Sequence, residues 1–180
     1  MDNHPHSDSY PTSLKLSRRV LTVLVKLNLL VGFLILALLI ASLLDEGPVM
    51  EALGVRVKGE HYSTFILGAR AIMVIGILST PLAHTILTRL LAMVDTVRNG
   101  DPFVAENAGR LQTIAWSVLG LQLMNAVVGF IAARVSTASQ PLDIHWSFDL
   151  TGWLVVLLLF VLARVFDQGT RMREELEATV

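Results

Sequence analysis

The chain has 180 residues, of which 53% are hydrophobic and 16% charged, with a mean hydropathy of +0.62 and a formal net charge of -1. A soluble domain carries about 25% charged residues, so this chain has too few polar groups to cover a water-facing surface, and its near-neutral charge offers nucleic acid no bulk attraction. With no cysteine, disulfides, thiolate catalysis and thiolate-held metals are excluded.

Residues 1–13 hold two prolines, two histidines and several hydroxyls and have nothing to bury, so a disordered tail is expected there. Residues 14–180 are long enough for one membrane domain. Between Lys26 and Asp45 no charge occurs and the residues are almost wholly aliphatic. Crossing the hydrocarbon takes about 20 apolar residues in a helix, which predicts a first span near 20–44, with Lys26 snorkelling from its end. Arg18 and Arg19 ahead of an apolar run suggest a signal peptide, but the run is too long and no small-residue cleavage site precedes Asp45.

A second span is predicted near 64–87, with Arg70 near its start and Pro81, which lacks an N–H and favours a kink, near its end. Beyond it Leu87, Leu90, Leu91, Val94 and Val97 recur at helical spacing among charges, as in a helix leaving the membrane with one apolar face. Asn99-Gly100-Asp101-Pro102 then supplies a helix stop, a cap and a first-turn proline. The third span, near 111–133, carries no charge. The fourth, near 146–166, is shorter in its uncharged part, with Trp146 and Trp153 suited to one interface. Asp167–Val180 is polar and is expected to form a short cytoplasmic surface helix. The fold class that follows is all-α: a polytopic four-transmembrane-helix bundle with a short C-terminal cytoplasmic helix.

Orientation follows from the basic residues, which gather on the cytoplasmic side of membrane proteins. Lys15, Arg18, Arg19, Arg89, Arg98, Arg110, Arg164, Arg171 and Arg173 share one side, nine against the three of Arg56, Lys58 and Arg134. Both termini are therefore expected in the cytoplasm, with residues 45–63 and 135–145 outside.

The stretch Asn99-Gly100-Asp101-Pro102-Phe103, with Asn107 and Leu111 after it, resembles domain-of-unknown-function family 2975. So do Phe148-Asp149-Leu150, the run Leu162-Ala163-Arg164-Val165-Phe166, then Gly169, Met172 and Glu174-Glu175-Leu176. The resemblance covers roughly residues 15–180. It implies a four-pass bacterial or archaeal membrane protein with no assigned activity and hence no catalytic residue to carry over. Members are often encoded beside a short helix-turn-helix regulator, which implies a DNA-binding protein as a partner, with no direct nucleic-acid contact by the membrane protein itself.

Two groups of residues stand out as candidate sites. Asp101, Phe103, Glu106, Asn107 and Arg110, with Arg171 from the last segment, could form a docking surface for a soluble partner. They could equally shape a tight turn, with Asn107 tying helix ends together, and each has a ready turn or cap role. Arg70 and Asp149 are ionisable groups at the outer ends of spans; they could pair at the interface, snorkel, or line a transport pathway. His61 and Asp143-x-His145 are too sparse for a metal site, and His84 stands alone, so neither metal nor haem is expected. Small residues at Ala37/Ala41, Gly129/Ala133, Gly32, Gly68, Gly76 and Gly120 allow helices to approach closely. No nucleophile–base pair points to an enzyme. The functional expectation is a non-enzymatic sensor or tether for a small regulator, with a small transporter or pore subunit using Arg70 and Asp149 as the alternative. Ligand, signal and oligomeric state leave no mark in the sequence.

Overall fold

Thirty-three residues from Thr12 to Leu44, polar and basic at the start and almost wholly aliphatic after Lys26, form the first helix, α1. The computed structural model describes residues 12–45, 47, 62–98, 104–135 and 150–177. Three further helices complete it: α2 (Tyr62–Arg98), α3 (Ala105–Val135) and α4 (Leu150–Glu177). All four are long and apolar enough to cross a membrane. Among the described residues there is no strand.

The helices overrun the expected spans for a common reason. Their polar flanks remain good helix formers, and nothing breaks them until the loop chemistry begins. α2 runs through Pro81, which deprives only the Ile77 carbonyl of a partner, and continues to Arg98. Likewise, residues 167–177 are no separate surface helix. They continue α4, because no proline intervenes and Asp167 meets both Arg164 and Arg171, one turn to either side. α1 begins two residues inside the segment expected to be disordered; residues 1–11 lie outside the described residues.

Packing follows chain order. α1 lies against α2, α2 against α3 and α3 against α4, while among the described residues no other pair of helices comes within 8 Å between Cα atoms. The expected four-helix bundle is therefore an open row, in which α1 and α4 are edges. Each pair is antiparallel. Down the first seam run Arg18 with Asp95, Asn28 with Thr80 and Ser42 with Arg70. The second seam joins Thr96 to Asn107, Leu82 to Gly120 and Ser79 to Met124. Trp116 meets Phe160 in the third. Three antiparallel steps bring the start of α1 and the end of α4 to the same side as the α2–α3 connection.

Small residues set the distances between helices. Gly32 is buried, and a Cβ built on it would lie 2.6 Å from Thr80 Cγ2 and 2.8 Å from its hydroxyl, so only glycine admits α2 at this height. Of the small pairs expected to pack spans together, Ala37/Ala41 does not: Ala37 is exposed and the seam runs instead through Gly32, Ile35 and Ser42. Buried side chains are few and sit mainly on the inner helices, among them Phe65, Ile66, Leu111, Ile114 and Ala115. Phe33, Leu44, Leu67, Phe130 and Leu158 are all more than half exposed. In water that surface would exceed any ordinary apolar patch, whereas hydrocarbon covers it at no cost.

Candidate functional site

At the turn end of the row, the last turns of α2 meet the first turns of α3 through Asn107, which is 1% exposed. Its Nδ2 donates to Thr96 Oγ1 at 2.8 Å, the Thr96 hydroxyl donates to the Met93 carbonyl at 2.7 Å, and Arg110 Nη1 donates to Asn107 Oδ1 at 2.7 Å. The bonds to Thr96 and Arg110 engage both the donor and the acceptor end of the buried amide. The junction can hold two helix ends in register. It offers no nucleophile or proton carrier.

Around this junction the charges are half-buried to exposed. Asp95 lies 3.3 Å from Arg18 of α1 and 3.5 Å from Arg98 on its own helix. On α4, Asp167 Oδ2 is shared by Arg171 at 3.2 Å and Arg164 at 3.8 Å, the two arginine side chains being 70% and 81% exposed. Of the expected docking residues, Glu106 is exposed at the start of α3, Arg110 is half-buried and Asn107 has no surface of its own. Asp101 and Phe103 lie outside the described residues.

The opposite end of the row explains Arg70. Its Nε donates to Ser42 Oγ at 3.1 Å and its Nη2 to the Ser42 carbonyl. That carbonyl belongs to the last turn of α1, where the helix itself supplies no N–H partner and the dipole ends negative. Arg70 thus caps the neighbouring helix. Asp149, its expected partner, lies outside the described residues, as do His61, Asp143 and His145.

Sequence reasoning missed Asn28. Its Nδ2 donates to the Thr80 carbonyl at 3.1 Å, one turn from Gly32 on the same face of α1. The signal was present: a lone amide four residues before a glycine in a run of leucines needs a partner on the next helix. Ser117 and Thr170, also buried, need none, since each hydroxyl donates to the carbonyl four residues back. His84 Nδ1 is buried without a hydrogen-bond partner among the described residues, beside Thr80 and Pro81 in a lateral groove between α1 and α2. Among the described residues no three of His, Asp and Glu gather as metal ligands.

Four apolar helices tied by internal polar contacts, with their broad faces apolar, are those of a multi-pass membrane protein. The sequence profile of the family described as protein of unknown function (DUF2975) matches residues 27–180, and the chain belongs to that family. No curated protein and no solved structure gives a match.

Proposed function

We propose that the protein is a non-enzymatic component of a bacterial cytoplasmic membrane, with both termini in the cytoplasm, that holds a small helix-turn-helix regulator and releases it when the spans repack. The supporting observation is the surplus of helix and charge at one end of the row. Crossing hydrocarbon about 30 Å thick takes about 20 residues, while the helices have 28 to 37. The excess carries Arg18, Arg19, Arg89, Arg98, Arg110, Arg164, Arg171 and Arg173 at the turn end, against Arg70 and Arg134 at the other. Arginines gather on the cytoplasmic side, so the projecting end is the one a soluble partner meets.

Glu106 and Arg171 are exposed there, and Asp101 and Phe103 shortly precede Glu106 in sequence. Asn107 and Arg110 hold the helix ends that carry this surface. The test is co-purification, from solubilised membranes, of a helix-turn-helix regulator encoded beside the gene. Retention by the intact protein that falls in Phe103→Ala and Arg171→Glu is the expected result; no association with the intact protein overturns the reading. The alternative, a small transporter or pore subunit, rests on Arg70, which bonds Ser42, and on Asp149, which lies outside the described residues. Solute flux in proteoliposomes that disappears in Arg70→Leu would support it.

A further inference from the structure

We propose that the cleft between α3 and α4 at the turn end holds the headgroup of an anionic phospholipid. Its shape follows from small residues. Ala108 and Ala163, 8% and 7% exposed, bring the two backbones together, and the long side chains beyond them splay around a cavity of about 380 Å³. Arg164, Arg171 and Asp167 line its mouth with Gln112, and Phe160 lies on its floor.

The mouth is cationic. Two guanidiniums share one carboxylate oxygen, leaving a net positive charge, and each has five N–H donors of which Asp167 engages few. Phosphate oxygens match that fork geometry. The floor is apolar and continuous with the membrane-facing surface. Phe160 packs edge-on against Trp116, with ring centroids 5.2 Å apart, while Trp116, Leu157 and Val161 are more than half exposed. Arg164 is the first charge after the uncharged run Leu150–Ala163, which sets it within snorkelling reach of the headgroups. A cationic mouth over an apolar, lipid-facing floor fits an amphiphile with a phosphate head and an acyl tail. A free anion would use the mouth alone.

This site needs no protein partner, so the test omits one. Full-length protein in non-ionic detergent is titrated with phosphatidylglycerol, phosphatidylcholine or inorganic phosphate, reading thermal unfolding and the lipid retained in native mass spectrometry. Phosphatidylglycerol is expected to be retained and to raise Tm, with phosphatidylcholine and phosphate doing neither. Arg164→Gln with Arg171→Gln should weaken phosphatidylglycerol retention by about 30-fold, while Arg134→Gln at the opposite end leaves it unchanged. Arg164→Gln alone should weaken lipid retention without touching regulator binding, which separates this site from the docking surface. Equal retention of both lipids, an equal shift with phosphate, or full retention by the double variant overturns the proposal. If the double variant does not fold, the preference of the unaltered protein for phosphatidylglycerol over phosphatidylcholine decides.

Discussion

Asn107 and Asp95 sit close together on the same end of the molecule, yet burial gives them different weights. Asp95 is 40% exposed and Arg18 53%, and exposed ion pairs contribute about 0–1 kcal/mol. Asn107 is sealed from solvent, and removing it takes a donor from Thr96 and an acceptor from Arg110, a loss of about 1–3 kcal/mol. Asn107→Ala should therefore lower the midpoint of denaturant unfolding in detergent far more than Asp95→Asn. If the three bonds act as a unit, Asn107→Ala with Thr96→Ala costs less than the two changes summed. Gly32 makes a second case. Gly32→Val drives a branched side chain into Thr80 and should cost about 1–3 kcal/mol, part of it recovered by Thr80→Ala, as measured by the same unfolding midpoint. The role of Asn107 as a tie was legible, because an amide beside a Gly-Asp-Pro turn has few other employments. For Asn28 the local sequence signals the need for a partner but not which one, since Thr80 is 52 positions away.

Among the elements, the spans were readable because length and apolarity are properties of a segment alone. Their ends were harder to read. The extension of α2 was readable from its helical spacing up to Val97, whereas that of α4 was expected as a separate surface helix, because a hydropathy reading stops where the lipid does rather than where the helix does. Arg70 shows the remaining gap. From sequence Arg70 could pair, snorkel or line a pathway; its bonds to Ser42 depend on the height at which two helices meet, which no local pattern gives. Arg70→Leu should accordingly loosen one specific place. Hydrogen exchange at the last turn of α1 should rise, and unfolding should be easier by about 1–2 kcal/mol, while the Asn107 junction keeps its protection. Unchanged exchange around Ser42 would refute the capping role.

For the molecule as a whole, the sequence supplied the number of crossings but not their closure. No residue pattern distinguishes a ring of four helices from a row, because both leave most side chains facing lipid. Topology is the directly testable part. Alkaline phosphatase fused at either terminus should be inactive and a fluorescent protein at the same positions should glow, with the reverse expected for fusions near residue 140. The row has its own signature. Deleting residues 150–180 should leave amide protection along the α1–α2 seam unchanged, whereas in a closed ring it would fall.

Because, among the described residues, every helix contacts only those synthesised just before and just after it, assembly need not wait for the chain to end. α2 can dock on α1 as soon as it enters the bilayer, α3 on α2, and α4 last, each step closing a short loop. A ribosome halted after any of these hairpins would leave behind a correctly seated fragment rather than a half-built one.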